Sequence, residues 1–203
     1  VCGNDHLRHG ATAAKEDRGY FGGKGGHMHA LEDLKTLNEM MREKYPGLPL
    51  VLLGHSMGSF FASKYAVLWP RTIDGLVISG TGGPNPLAGV GITVAKMIGA
   101  VRGEKHRSKL LHNMAFGAYL KQIPDAKTPY DWISRDEEIV SVYAADELCT
   151  FHFTANGFHE LLSALRDVLS PARATGRGTG MQFLIGSGAA DHVGARARAR
   201  IIG

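Results

Sequence analysis

A short apolar run that leads straight into a glycine-flanked turn and a helix constrains this chain more than any other feature. Residues 48–53 read Leu-Pro-Leu-Val-Leu-Leu, which predicts a parallel strand buried on both faces. Residues 54–58, Gly-His-Ser-Met-Gly, form the turn, and a helical pattern then continues to residue 68. A second apolar run at 73–79 completes a strand, turn, helix, strand unit. Such units build parallel sheets with right-handed crossovers.

The rest of the chain divides into a core and an insertion. An amphipathic helix is predicted over 30–45, and a strand pattern returns at 181–185. Between the two halves, residues 85–175 show helical patterns without an apolar strand. We therefore expect an α/β fold with a mostly parallel sheet, in which 1–84 and 176–203 form the core and 85–175 a helical cap insertion.

Composition narrows the function classes. The 23 Lys and Arg against 19 Asp and Glu are scattered, so nucleic-acid binding is not expected. Cys2 and Cys149 lie far apart and outside any C-x-x-C pattern, so we expect neither a disulfide nor a zinc site, and no metal or cofactor. No apolar run reaches the length of about 18 residues that a membrane span needs, and residues 1–10 are polar. A cytoplasmic location is expected.

The turn at 54–58 carries the chemistry. A serine between a buried strand and a helix is forced into a strained conformation that exposes its hydroxyl at the sheet edge, so Ser56 is the predicted nucleophile. We expect Gly54 and Gly58 because a side chain at either position would collide with the strand and helix. The backbone N–H of Met57 is the predicted oxyanion donor. An ordinary turn with a capping serine is the alternative.

Such a serine needs an acid and a histidine, in that chain order. Asp191, just beyond the last predicted strand, is the predicted acid, and a solvated turn aspartate is the alternative. His192 adjoins that acid and cannot bridge it to the serine, while His55 is expected to point away along the turn. We therefore expect the catalytic histidine to be absent, and the chain to be a fragment lacking both ends.

Two further segments resemble ligand-binding motifs but lack the spacing that those motifs need. The glycine-rich residues 22–26 lack the spacing of a phosphate-binding loop, so a flexible loop is expected. His27 and His29 stand two apart, which differs from the i, i+4 pair of a zinc-binding helix. Solvated or capping roles are expected for both histidines.

Residues 54–58, followed by Ile-Ser-Gly at 78–80, resemble the monoacylglycerol lipase and lysophospholipase branch of the α/β-hydrolases. Residues 128–136 are similar to its cap segment, and 188–194 to its acid loop. Residues 4–10 are similar to its Asp-x-Arg-Gly-His-Gly turn.

This sequence departs from the branch at a few positions. Leu7 and Arg8 stand where the branch has Arg and Gly, and Ala189 and His192 replace an acidic residue and a proline. Asp191 is in place.

The resemblance implies an α/β-hydrolase, incomplete here, that cleaves carboxylic esters of monoacylglycerol or lysophospholipid type through an acyl-enzyme on Ser56. Apolar cap residues would form the acyl-chain pocket, and the cap would make a peripheral membrane contact. Two alternatives stay open: a non-catalytic binding protein on the same fold, and an amide or peptide hydrolase. This chain by itself is expected to turn over little substrate. The oligomeric state is not predicted.

Overall fold

The computed structural model describes residues 1–83, 87–168 and 180–188. Its strands form one parallel sheet of order β1-β2-β3, which confirms the expected α/β class. The strands are β1 (Val51–His55), β2 (Gly75–Ser79) and β3 (Gln182–Gly186). The α-helices are α1 (Gly26–Lys44), α2 (Met57–Leu68), α3 (Ala88–Arg102), α4 (Lys109–Leu120), α5 (Glu137–Ala145) and α6 (Ala155–Val168). Two short 3-10 helices, Gly10–Thr12 and Lys15–Asp17, precede them.

The chain forms two compact units. The first comprises the described parts of 1–4, 25–89 and 160–203, and the second comprises 5–24 and 90–159. The first contains the sheet, α1 and α2, whereas the second contains α4 and α5. The predicted core and cap bounds stay a prediction. None of the helices described is both long and apolar enough to cross a membrane.

The sheet is covered on one face by α2, which packs on β1 and β2. On the other face Leu53, Val77 and Leu184 lie in register across the three strands, and Leu53 and Leu184 are 66% and 62% exposed. The prediction of a first strand buried on both faces is therefore wrong for the described residues. The physical reason is that alternate side chains of a strand point to opposite faces, and α2 covers one of these faces.

A buried polar network ties α1, α2 and α6 together within the first unit. The Glu160 carboxylate accepts hydrogen bonds from the backbone N–H groups of Gly25 and His27 at 3.3 and 3.1 Å, and lies 2.5 Å from His27 Nδ1. Lys64 Nζ donates to His27 Nε2 at 2.9 Å and to the Asp167 carboxylate at 2.6 Å. The expectation of a solvated or capping His27 is wrong, because this side chain is buried and bonded on both ring nitrogens.

The same carboxylate explains why α1 begins at Gly26, four residues before the predicted start. The first N–H groups of a helix have no partner within it, and negative charge is favourable there. Glu160 supplies both the acceptor and the charge from a distant part of the chain.

The turn at residues 4–10 has two backbone positions in the left-handed region, and both belong to the second unit. Gly10 has φ +51, and a Cβ there would lie 2.3 Å from Asp5 Cγ, so a larger residue would be strained and would displace the Asp5 carboxylate. Arg8 has φ 60 although it carries a side chain. Its guanidinium lies 3.2 Å from the Asp17 carboxylate and 4.9 Å from the centre of the Tyr20 ring, contacts that offset the backbone strain.

The second unit has its own core. Its central residues are Ala95, Leu111, Ala155 and Phe158, with Val94, Ile98, Ala115, Phe116 and Phe153 packed against them. Leu111 and Phe158 are almost fully buried. Val94, Phe116 and Phe158 are apolar residues of the predicted cap insertion, and in the structure they contribute to the packing of this unit.

Candidate active site

Ser56 joins β1 to α2 in a conformation that side-chain-bearing residues rarely adopt, with φ 50 and ψ −119. Strain of this kind costs about 1–3 kcal/mol and persists only where neighbours hold it. The Ser56 N–H donates to the Ser79 carbonyl at 3.0 Å, which continues the β1–β2 ladder. The Ser56 carbonyl accepts from the Ser59 N–H at 2.9 Å and from the Ser59 hydroxyl at 2.5 Å.

The Ser56 side chain does not cap the helix that follows. It accepts no hydrogen bond from the first turn of α2. By contrast, Asp136 caps α5 and Ser108 caps α4 through their side chains. The reading of Ser56 as an ordinary capping serine is therefore not supported, since its hydroxyl makes none of the bonds that define a cap.

The two glycines that flank the serine differ in their surroundings. A Cβ on Gly54 would lie 2.3 Å from the Gly58 carbonyl oxygen and 2.7 Å from the Ala62 Cβ. A Cβ on Gly58 would meet no described atom within 4 Å beyond its chain neighbours and the nearby backbone of α2 itself. The steric explanation therefore holds for Gly54 and is wrong for Gly58, whose missing side chain would point into open space rather than toward β1.

Met57 is the first residue of α2, so its backbone N–H belongs to the positive end of that helix. This N–H belongs to the same peptide group as the Ser56 carbonyl. The Ser59 N–H and hydroxyl both donate to that carbonyl. The peptide plane of the predicted oxyanion donor is thus fixed by hydrogen bonds on its carbonyl side.

His55 contacts the neighbouring strand. Its Nδ1 lies 3.1 Å from the Ser79 hydroxyl, and His55 and Ser79 are partners in the β1–β2 register. The side chain is exposed on the sheet face that α2 does not cover. Its role in the predicted turn at 54–58, called the elbow below, stays a prediction.

The predicted acid, Asp191, and the adjoining His192 lie outside the described residues. The strand that leads to Asp191 is described, and it ends at the same edge of the sheet as β1, with β2 between the two strands. Gly186, the last residue of β3, pairs with Ser79 in register and accepts a hydrogen bond from Gly80 N–H at 3.0 Å. The chain toward Asp191 therefore starts at the sheet edge that carries Ser56, and the assignment of Asp191 stays a prediction.

Sequence reasoning did not find two polar residues beside the elbow. Ser59 is completely buried in the first turn of α2, and Thr81 follows β2. Their hydroxyl oxygens lie 2.9 Å apart. The spacing of Ser59, three residues after Ser56, is typical of a hydroxyl that bonds to the Ser56 carbonyl, so Ser59 could have been predicted. Thr81 could not, because only the pairing of β1 with β2 brings it close to Ser59.

The second unit contains a cleft of about 540 Å³, whose charged side chains mostly pair with each other. Lys15 lies 2.8 Å from Glu147, and Arg107 donates to the backbone carbonyls of Glu16 and Arg18. The described part of the chain contains no group of three His, Cys, Asp or Glu side chains placed to hold a metal ion.

A family model described as "Serine aminopeptidase, S33" matches residues 1–202. The chain belongs to this family. It is 31% identical over 148 residues to a monoacylglycerol lipase of Mycolicibacterium smegmatis, a match that covers 71% of this chain and 44% of that protein. This S33-family chain thus spans about half the length of that curated relative.

Solved structures agree with the family assignment. A thermostable carboxyl esterase from Bacillus coagulans, in complex with glycerol, is 31% identical with a TM-score of 0.77, covering 88% of this chain and 58% of that one. A lipase in an open form, 19% identical, gives a TM-score of 0.82 over 95% of this chain and 63% of its own length, and shows the fold alone. The resemblance to monoacylglycerol lipase-like α/β-hydrolases is confirmed.

Proposed function

We propose that the protein is a carboxylic ester hydrolase that cleaves monoacylglycerol through an acyl-enzyme on Ser56. The observation that carries the proposal is the strained, non-capping Ser56 at the junction of a parallel strand and a helix. The printed names of two relatives, a monoacylglycerol lipase and a carboxyl esterase, support the ester as the bond that is cleaved.

The proposed chemistry has two steps. Ser56 Oγ attacks the ester carbonyl carbon, its proton passes to a base, and the carbonyl oxygen takes negative charge beside the Met57 N–H. Collapse of this intermediate breaks the bond to the alcohol, which leaves as glycerol with the proton returned by the base. Water then repeats the sequence on the acyl-enzyme and releases the fatty acid. We propose Asp191 as the acid that orients this base, and a histidine later in the reading frame as the base itself.

Lysophospholipid is a second proposed substrate, since the resemblance extends to that branch. We also propose contact with a lipid surface, supported by an apolar stripe on α3. Val90, Met97 and Val101 are 52%, 63% and 84% exposed, and their spacing of seven and four places them on one face of the helix. Co-sedimentation with phosphatidylcholine vesicles tests this contact. Met97→Gln should lower the fraction of protein that sediments with the vesicles.

The substrate is tested with the longest reading frame that contains this chain. We expect release of fatty acid from 1-monoacylglycerol, abolition of that release in Ser56→Ala, and retention of it in Ser63→Ala, a control on the same helix. Faster turnover of lysophosphatidylcholine would move the substrate to the lysophospholipid class.

A peptide substrate is the remaining enzymatic alternative, and the description of the matching family favours testing it. Turnover of aminoacyl p-nitroanilides without ester turnover would replace the ester proposal. No turnover of either class, with Ser56 intact, would favour the non-catalytic binding protein.

A further inference from the structure

The hydrogen bonds behind the elbow form a directed chain. The Ser56 carbonyl oxygen can only accept, and the Ser59 hydroxyl lies 2.5 Å from it, so the single Ser59 hydroxyl proton points to that oxygen. Thr81 Oγ1, 2.9 Å from Ser59 Oγ, must then be the donor in their contact. The direction is Thr81 to Ser59 to the Ser56 carbonyl.

These hydrogen bonds end at the peptide group between Ser56 and Met57, whose carbonyl and N–H have different roles. Its carbonyl belongs to Ser56 and accepts two hydrogen bonds, from the Ser59 N–H and hydroxyl. Its N–H belongs to Met57, the predicted oxyanion donor. Hydrogen bonds on an amide oxygen draw electron density from the nitrogen through peptide resonance, and linked hydrogen bonds strengthen one another. The Met57 N–H becomes a stronger donor as a result.

We propose that Ser59 and Thr81 are positioning residues that orient and polarise the Ser56–Met57 peptide, and thereby strengthen oxyanion stabilisation by the Met57 N–H. This inference rests on the proposed function of Ser56. Burial supports it, because Ser59 is completely shielded from water, where a hydrogen bond is electrostatically stronger than at the surface.

The expected size follows from two general values. Removing one oxyanion donor lowers kcat about 100- to 1000-fold, and a linked hydrogen bond contributes about 10–30% of a bond's strength. If loss of the linked hydrogen bond removes about 10–30% of the free energy that the Met57 N–H contributes to the transition state, kcat should fall about two- to eightfold. KM should stay nearly constant, since the contact strengthens only as charge develops on the substrate oxygen.

The kinetic test compares Thr81→Val, which removes the hydroxyl and keeps the shape, with Thr81→Ser, which keeps the hydroxyl. Both are measured in the longest reading frame, with rates normalised by active-site titration. We expect Thr81→Val and Ser59→Ala to lower kcat while Thr81→Ser restores it. An unchanged kcat in Thr81→Val and Ser59→Ala would overturn the proposal, as would an equal loss in Thr81→Ser.

A spectroscopic test does not depend on turnover. The chain has seven methionines, so selective ¹⁵N-methionine labelling gives few amide signals, and Met57→Leu identifies the one from Met57. Ser59→Ala should move the Met57 ¹⁵N resonance upfield, and the control Ser63→Ala should leave it in place. An unchanged Met57 ¹⁵N resonance in Ser59→Ala would overturn the proposal that Ser59 polarises the Ser56–Met57 peptide. Failure of the proposed function looks different: Ser56→Ala would then leave ester turnover unchanged, whatever the resonance does.

Discussion

Replacing Gly54 by alanine should destabilise the protein far more than the same change at Gly58. The added Cβ at Gly54 would lie 2.3 Å from the Gly58 carbonyl oxygen and 2.7 Å from the Ala62 Cβ. Both neighbours belong to α2, so relief requires the helix to move away from β1 by about 1 Å, which loses packing along the whole contact. Overpacking of a core costs about 1–3 kcal/mol, and a clash with backbone belongs at the upper end, about 3 kcal/mol.

Gly58→Ala is the matched control, since it adds the same methyl group four residues later. Gly58 lies within α2, and a Cβ there meets no described atom within 4 Å beyond its chain neighbours and the nearby backbone of that helix. Alanine is favoured over glycine inside a helix by about 1 kcal/mol, so this variant should be slightly more stable than the parent.

The assay is urea unfolding of both variants and the parent, followed by circular dichroism at constant pH. The expected difference between the two variants is about 3–4 kcal/mol in the free energy of unfolding. Equal free energies of unfolding in the two variants would mean that α2 does not lie against Gly54.

Two further predictions concern buried polar groups. Lys64→Met should lower the free energy of unfolding by about 3 kcal/mol, because it leaves the Asp167 carboxylate and the His27 ring without their shared donor; Lys35→Met, which removes an exposed ion pair to Glu39, should change it little. A loss as large in Lys35→Met would contradict the assigned importance of burial. Burial among aromatic rings lowers the pKa of His9 below its ordinary value of 6.5, so the unfolded chain takes up a proton first as the pH falls and stability declines from about pH 6.5 downward. His9→Phe should flatten that decline in urea titrations between pH 7 and 5.5, and an unchanged slope would count against it.

Much of the sheet unit follows from local pattern. The three strands, the helix after the elbow and the strain at Ser56 were predictable because each depends on apolar periodicity or on the geometry of a tight turn. Four α-helices, α3 to α6, lie between β2 and β3 in chain order, where helical patterns without a strand were expected.

Features that depend on distant residues were not predictable. The early start of α1 and the burial of His27 both depend on Glu160, which is 133 residues from His27 in the chain. No periodicity near His27 contains that information. The exposure of Leu53 has a similar origin, since an apolar run indicates a strand but does not say which of its faces another element covers.

The asymmetry of the two elbow glycines illustrates a third limit. The motif places Gly54 and Gly58 symmetrically about the serine, yet only the direction of each missing Cβ decides what it would meet. That direction depends on the backbone at each position, which is strand at Gly54 and helix at Gly58.

Covalent labelling shows whether Ser56 is a nucleophile, because a fluorophosphonate reacts with an activated serine hydroxyl. The longest reading frame that contains this chain is incubated with a fluorophosphonate probe, digested and mapped by mass spectrometry. We expect one stoichiometric adduct on the peptide that contains Ser56, which is absent in Ser56→Ala and present in Ser63→Ala. An adduct on another serine, or a folded protein that hydrolyses ester and carries no adduct at Ser56, would contradict the assignment of Ser56 as the nucleophile.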